Sequence, residues 1–167
     1  MNERWKPSVT VAAIAARRRG DGPVEYLLVE EETPDGLKLN NPAGHLDPGE
    51  SPQQAVVRET LEETARAFTP EAFVGVYLTR NDAIAGAADV TYLRLAYIGE
   101  AGEPDPARRL DDGIVGTLWM TLAELRVSRE RHRSPLVLRC IEDAAAGRRH
   151  PLDIVFTDPG VFRPAFP

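Results

Sequence analysis

The chain has 167 residues, enough for one domain with a substantial core and too few to expect two, so we interpret residues 1–167 as a single domain. Hydrophobic residues make up 43% and charged residues 28%, proportions that disfavour an intrinsically disordered chain. The formal net charge of −6 argues against binding nucleic acid or an anionic membrane by bulk attraction, which needs a positive face.

The only cysteine, Cys140, excludes an internal disulfide and a zinc site built from cysteines. No stretch approaches the about 20 consecutive apolar residues of a membrane span. The opening MNERWKP contains no hydrophobic, signal-like segment. We therefore expect a cytoplasmic protein.

The first third of the sequence predicts two strands and a loop. Runs of apolar and β-branched residues at 8–18 and 25–32 are separated by the turn-forming sequence RGDGPV. A short extended piece follows at 37–40. The next segment, NPAGHLDPGES at 41–51, is so rich in Gly, Pro and Asp that we expect a structured loop without regular secondary structure.

A helix is predicted from Ser51 to about Ala65. Three signals agree on its start, because Ser51 is a hydroxyl N-cap, Pro52 occupies the first helical position and Gln54 completes a capping box. The beginning of this helix is therefore predicted more sharply than its end.

The rest of the sequence predicts three strands and two helices. Strands are expected near 72–79, 90–98 and 114–120, and helices at 121–125 and 135–146. The loop 80–89 either borders a ligand site or is a plain surface excursion. Strands interleaved with helices predict an α/β fold of the α+β type, with a mixed β-sheet packed between helices.

The first predicted helix carries an unusual group of acidic residues. At about 100° per residue, Glu59, Glu62 and Glu63 lie within about 100° of one another. Like charges four residues apart, such as Glu59 and Glu63, destabilise an isolated helix by roughly 0.2–0.5 kcal/mol. We expect the opposite face to pack in the core, through Val57, Leu61 and Thr64.

Two interpretations explain this acidic face. The three side chains could be solvated surface charges, or they could supply hard oxygen ligands to Mg²⁺ or Mn²⁺. Ala55, which we expect on the same side, and the glycine-rich loop before the helix leave room for a ligand. Because hydrolysis of a phosphate ester or anhydride needs charge neutralisation and an activated water, we favour a metal platform for such a reaction.

The spacing of these residues resembles the Nudix box, the signature of hydrolases that act on a nucleoside diphosphate linked to another group. The matched positions are Gly44, Glu50, Arg58, Glu59, Glu62 and Glu63. The resemblance extends further than the box, because VTVA, NPAGHLDPGE and RSPLVLRCIEDAAAGRRHPLDIV resemble a bacterial phosphatase branch of the family. The resemblance implies an α/β/α sandwich that hydrolyses small di- or triphosphates, among them nucleoside di- and triphosphates, thiamine pyrophosphate and its hydroxymethylpyrimidine precursor.

The resemblance also implies a metal-binding set. Glu59 and Glu63 would bind the ion, with Mg²⁺ expected and Mn²⁺ as the alternative. Glu62 would add a ligand or act as the base, and the carbonyl of Gly44 would join the metal shell. Gly44 is interpreted equally well as a plain turn glycine.

Supporting roles fall to the neighbours of the glutamates. Arg58 would complete the catalytic set by orienting the glutamates, and Glu50 would stabilise the geometry of loop and helix. His45 either contacts substrate phosphate or hydrogen-bonds the backbone. Asn41, together with Asn40, either lines the substrate cleft or forms a turn.

The sequence departs from the family pattern at two points that matter. Ala65 stands where a glycine usually ends the helix, and a left-handed alanine costs roughly 1 kcal/mol, so the helix either accepts this cost or continues a little. Gly113 stands where a further acidic ligand is frequent. Asp111 and Asp112 either substitute for that ligand or are solvated turn residues.

The predicted function is thus a metal-dependent hydrolase, a monomer or homodimer, whose only partner is a small diphosphate compound. The alternative is a non-catalytic Nudix-fold domain that binds or senses a phosphorylated metabolite. Loss of box carboxylates would mark that alternative, and none is lost here. The arginine cluster at 129–133 is either solvated or contacts a phosphate near the cleft.

Overall fold

The computed structural model describes residues 4–81 and 89–162. The interior of the predicted loop 80–89, with its two alternative interpretations, lies outside the described residues. Within the described ranges, no helix is both long enough and apolar enough to cross a membrane.

In the described part of the chain, four strands precede the first α-helix, three strands follow it, and two further α-helices come after the last strand. The strands are β1 (Ser8–Arg18), β2 (Val24–Thr33), β3 (Gly36–Asn40), β4 (Ala43–His45), β5 (Phe68–Asn81), β6 (Val90–Ala101) and β7 (Ile114–Thr121). The α-helices are α1 (Pro52–Thr64), α2 (Leu122–Val127) and α3 (Leu136–Ala145). Short 3₁₀ turns follow at Arg129–Arg131, Leu152–Ile154 and Pro159–Phe162.

The strands form one 7-stranded mixed sheet with the order β3-β2-β1-β6-β5, in which β4 also pairs with β1 and β7 with β2. β1 and β6 run parallel, and the other pairs are antiparallel. Alternate residues of β1 enter different cores. Ile14 packs in a core with Val137 of α3, whereas Val11 and Ala13 pack in a core with Val56 of α1. The helices therefore cover both faces of the sheet, which confirms the predicted α/β/α sandwich.

The segment 41–51 corrects one prediction. It was expected to lack regular structure, but Ala43 to His45 form strand β4, whose partners on β1 are Ala12, Val11 and Thr10. Composition alone could not reveal this strand, because its hydrogen bonds are supplied by a segment that lies far away in the sequence.

Helix α1 begins as predicted, and the way it ends decides between the two predicted alternatives. The Ser51 hydroxyl accepts a hydrogen bond from the Gln54 amide at 3.2 Å, and the Gln54 side chain accepts one from the Ser51 amide at 2.8 Å. At the other end, Ala65 takes the left-handed conformation with φ 55°. The alternative that the helix continues is therefore wrong, because the Ala65 carbonyl instead accepts a hydrogen bond from the Asp105 amide at 2.8 Å.

Candidate active site

The acidic face of α1 is the face that packs against the sheet. Glu59 and Glu63 are each only 8% exposed, whereas Val57 and Leu61 are half-buried. The expected packing of the opposite face holds at Thr64, which is buried, and at Val57, which packs against the core although it is only half-buried. Ala55 lies on the same side as Glu59, as expected from the i, i+4 spacing, but it is fully buried in the core, so the room predicted there for a ligand is absent. Burial on this side favours the functional interpretation, because solvated charges would not be buried.

Arg58 ties three glutamates and the preceding loop together. Its guanidinium donates two hydrogen bonds to Glu50, at 3.0 and 2.7 Å. It also donates to Glu59 at 2.8 Å, to Glu62 at 2.9 Å and to the carbonyl of His45 at 3.0 Å. The hydrogen bonds to Glu50 are the largest cause of a raised Arg58 pKa. Arg58 and Glu50 therefore have the contacts expected of a scaffold that fixes the glutamates relative to the loop.

Strand β4 contacts both buried glutamates with its backbone. The Ala43 amide donates a hydrogen bond to Glu63 at 2.8 Å. A Cβ atom added to Gly44 would overlap the carboxyl group of Glu59 in its present rotamer, so glycine allows β4 its close approach to this side chain. Gly44 has φ < 0 in β4, so its contribution here is the close approach and not a turn.

Negative charge accumulates in this region without full compensation. Burial raises the pKa of the Glu63 carboxyl to about 8, and the charges of Glu59 and Glu31 act in the same direction. Burial also raises the pKa of Glu59, although the hydrogen bond from Arg58 lowers it. Asp111 is exposed, but its charge raises the pKa of both buried glutamates. A cation placed here would be stabilised by all of these carboxylates.

The oxygen atoms of the α1 glutamates and of the Gly44 carbonyl are of the type that binds a hard divalent cation, but their present positions do not form a coordination site. Across residues 4–81 and 89–162, no three His, Cys, Asp or Glu side chains converge on a point where they could hold a metal ion. Glu59 and Glu62 are turned toward Arg58, and Glu63 is turned toward the Ala43 amide. Carboxylate and backbone oxygens are the ligands that Mg²⁺ prefers, so these residues fit the ion once a glutamate changes rotamer.

A cavity of about 180 Å³ lies beside β4, which also contacts the buried glutamates. His45 borders it and is exposed, with its ring centroid 6.2 Å from that of Tyr92. The other lining residues come from several strands and from the segment before α3, and they include Thr10, Glu31, Asn40, Tyr92, Arg94, Arg133 and Ser134. Arg133, the last residue of the arginine cluster 129–133, therefore lies at this cavity.

The predicted role of Asn41 in lining the cleft is wrong. Its side chain is fully buried, donates to the Val137 carbonyl at 3.4 Å and accepts from Arg94 at 3.4 Å. Asn40 lines the cavity instead, because neighbouring residues of an extended chain point to opposite sides. Arg94 was missed altogether. The signal that could have revealed it is a charged residue within the apolar strand sequence YLRLAYI.

Comparison with known proteins identifies the family. A model of the NUDIX domain matches residues 6–139 of the chain, well over half of its length. This protein belongs to the Nudix family. The resemblance deduced from the box is therefore confirmed, and so is the prediction that the protein is a Nudix hydrolase.

Individual relatives support the assignment. Phosphatase NudJ of Escherichia coli (strain K12) is 33% identical over 153 residues, which cover 90% of this Nudix chain and 92% of NudJ. A NUDIX hydrolase from Nitrosomonas europaea is 48% identical with a TM-score of 0.80, covering 93% of this chain and 99% of that one. The NUDIX domain of Shewanella oneidensis NrtR, complexed with ADP ribose, shares the fold at 20% identity and a TM-score of 0.60, covering 86% and 89%.

The family assignment gives the Nudix chain a general chemistry. Nudix hydrolases cleave pyrophosphate linkages and generally use divalent metal ions. The buried glutamates and the Gly44 backbone are the residues of this chain that meet the requirements of such a metal.

Proposed function

We propose that this Nudix hydrolase is a Mg²⁺-dependent enzyme that hydrolyses small di- or triphosphate compounds by attack of water on phosphorus. The observation that carries the proposal is the burial of Glu59 and Glu63 against β4, where Glu59 pairs with Arg58 and no described cation lies within 4.0 Å of the Glu63 carboxylate. Such burial is costly unless a further positive charge binds, and a divalent ion provides it. Mn²⁺ is the alternative ion, since it has the same preference for hard oxygen ligands.

Glu59, Glu63 and the Gly44 carbonyl would hold the metal. When bound, the metal polarises the phosphoryl group and lowers the pKa of a water molecule. The residues of the chain do the rest. Arg58 holds Glu59 and Glu62 in fixed positions, and Glu50 anchors Arg58 to the loop.

Glu62 is the proposed proton acceptor. Its side chain is 32% exposed, compared with 11% for Glu59, so it can reach a water molecule more easily. Its hydrogen bond from Arg58, at 2.9 Å, holds the carboxylate in a fixed position beside the other glutamates. Asp111, whose amide donates to the Glu62 carbonyl at 3.1 Å, lies beside it. Asp111 is therefore the residue that would replace the acidic ligand missing at Gly113.

The proposed substrates are nucleoside di- and triphosphates, thiamine pyrophosphate and its hydroxymethylpyrimidine precursor. Similarity to the phosphatase NudJ over 90% of the chain supports a compact phosphorylated substrate. A phosphate-release screen over these compounds, ADP-ribose and dinucleoside polyphosphates, with Mg²⁺ and with chelator, tests the proposal. Turnover that persists in chelator would exclude metal dependence, and a strong preference for ADP-ribose would exclude the substrate class.

A second candidate is a non-catalytic domain that binds such metabolites. It predicts ligand-induced stabilisation without phosphate release for every compound in the screen. Retention of all the box carboxylates favours the enzyme.

A further inference from the structure

Arg94 of β6 is a buried cation that forms no ion pair with any described residue. It is only 8% exposed, and within the described residues no carboxylate oxygen lies within 4.0 Å of its guanidinium. Its Nη1 donates a long hydrogen bond of 3.4 Å to Asn41, and its Nε has no hydrogen-bond partner there. A guanidinium in this position retains most of the cost of leaving water.

The neighbours of Arg94 do not remove that cost. Glu31 is close enough to act on Arg94 at a distance, but it forms its ion pair with Arg133, at 3.2 Å. Cys140 accepts a hydrogen bond from Arg94, but burial raises the pKa of its thiol to about 12, so it gives Arg94 a neutral partner and not an anion. Glu63 also acts only at a distance, and it belongs to the carboxylate group that needs a cation of its own. The chain therefore leaves Arg94 available to an external anion.

The cavity gives such an anion access to Arg94. Its lining carries two guanidinium groups, Arg94 and Arg133, and one carboxylate, Glu31. The hydroxyl groups of Thr10 and Ser134 line the same space, and the Thr10 hydroxyl is buried without a hydrogen-bond partner among the described residues. Guanidinium and hydroxyl donors around a space of about 180 Å³ match a phosphate group with a few water molecules.

We propose that Arg94, assisted by Arg133, holds a phosphate group of the substrate in this cavity. The inference rests on the proposed hydrolysis of di- or triphosphates and names the residue that recognises them. Ala43 and Gly44 of strand β4 line the cavity. The same two residues lie against the carboxylates of Glu63 and Glu59, respectively. A diphosphate would therefore extend past Gly44, with one phosphate at Arg94 and the other near the glutamates.

Binding of pyrophosphate in EDTA tests this role without turnover. Isothermal titration should show that Arg94→Gln weakens the affinity at least about tenfold, because a charge-assisted hydrogen bond contributes about 1.4 kcal/mol or more. Arg94→Lys keeps the charge, so its affinity for pyrophosphate should fall less than that of Arg94→Gln. Arg133→Gln should weaken the affinity several-fold. Arg109→Gln, at an exposed site away from the cavity, is the matched control and should bind like the wild type. Equal affinities of wild type and Arg94→Gln would overturn the proposal.

Thermal denaturation provides an independent measurement. Since Arg94 is buried and unpaired, Arg94→Gln should melt at the same temperature as the wild type or higher when no anion is present. Added pyrophosphate should then raise the melting temperature of the wild type and not that of the variant. If Arg94 only supports the fold, Arg94→Gln will melt lower and will keep the shift caused by pyrophosphate.

Kinetics separate a substrate phosphate from free orthophosphate. If Arg94 holds the substrate, Arg94→Gln should raise KM at least about tenfold and change kcat less than about threefold. A weaker inhibition by orthophosphate with unchanged KM would overturn the proposal, since the cavity would then bind only the free ion. If the wild type turns over no diphosphate and yet binds pyrophosphate through Arg94, the anion site stands and the proposed function fails.

Discussion

Arg58 and Arg94 lie in regions that share strand β4, and their surroundings are opposite. Arg58 has carboxylate oxygens of Glu50, Glu59 and Glu62 within 2.9 Å and one of Asp47 at 3.6 Å. Arg94 is more deeply buried and has none within 4.0 Å in the described ranges. The first charge is balanced by the chain itself and serves as a scaffold. The second is balanced by a ligand. The presence of an arginine therefore does not distinguish a structural site from a binding site, whereas the presence or absence of carboxylate partners does.

The largest effect is expected at Glu59. This residue belongs to the carboxylate region, which we define as the glutamates of α1 together with Glu50 and Arg58, and it does not line the cavity at Arg94. Glu59→Gln removes a hard ligand and should lower the Mg²⁺-dependent kcat at least about 100-fold. Pyrophosphate binding in EDTA should not weaken, because Arg94 is intact. Phosphate-release kinetics and titration calorimetry measure the two quantities, with exposed Glu71→Gln as the control. Full activity in Glu59→Gln, with an unchanged thermal shift on adding Mg²⁺, would show that Glu59 does not hold the metal.

Arg58 should respond in the opposite way to Arg94. Arg58→Ala leaves three carboxylates without their partner, so we expect the free energy of unfolding to fall by about 1–3 kcal/mol. Its kcat should drop roughly tenfold or more, with a smaller change in KM, because the glutamates lose their positions. Arg58→Lys should retain more stability and a higher kcat than Arg58→Ala but less than the wild type, since lysine lacks the planar fork of donors.

Urea denaturation and steady-state kinetics of both Arg58 variants sharpen the comparison. A raised KM with unchanged kcat would place Arg58 on the substrate, and the difference between the two arginines would disappear.

Glu63 tests whether the carboxylate region carries uncompensated charge. The pKa of Glu63 is raised from an ordinary 4.5 to about 8, so between these pH values the folded state binds the proton more tightly than the unfolded state. Stability in EDTA should therefore fall as the pH rises through this window. Glu63→Gln should lack that fall and should exceed the wild type by about 1–3 kcal/mol at pH 8. Urea unfolding of both proteins at pH 5 and pH 8 measures the change in stability with pH. The same change in wild type and in Glu63→Gln would contradict the prediction.

Ala65 gives the smallest expected effect and a control for both regions. Ala65→Gly should raise the free energy of unfolding by about 1 kcal/mol, because glycine adopts a φ of 55° without the strain of a Cβ atom. Neither kcat nor the affinity for pyrophosphate should change, since Ala65 contacts neither arginine. Denaturation curves check the gain. A loss of stability would show that the Ala65 methyl group, which is nearly buried, contributes more through packing than it costs in strain.

Local chemistry explains what the sequence predicts well. The start of α1 depends on Ser51, Pro52 and Gln54, which act within four residues of one another, and the structure reproduces it. The box residues come together for the same reason, because Arg58, Glu59 and Glu62 share two helical turns.

The failures all involve partners distant in the sequence. Strand β4 exists because β1 pairs with it, and the burial of Glu59 depends on Gly44 approaching the helix. Of the two asparagines considered for the cleft, Asn40 lines the cavity and Asn41 is buried, because neighbouring residues of an extended chain face opposite sides. Arg94 looks like any charged residue of a half-exposed strand until the cavity around it is known.

The parallel pairing of β1 with β6 has a consequence for how the molecule folds. Five strands or helices, β2 to β5 and α1, lie between these two strands in the chain. Closing so long a loop carries a large entropic cost, so this pairing is expected to form late and to slow folding. Helix α1 and the β2–β3 hairpin depend on nearer contacts and can form earlier. A newly made chain therefore carries its glutamates on a formed helix before Arg94 reaches the cavity, and it acquires its capacity for phosphate only in the final stage of folding.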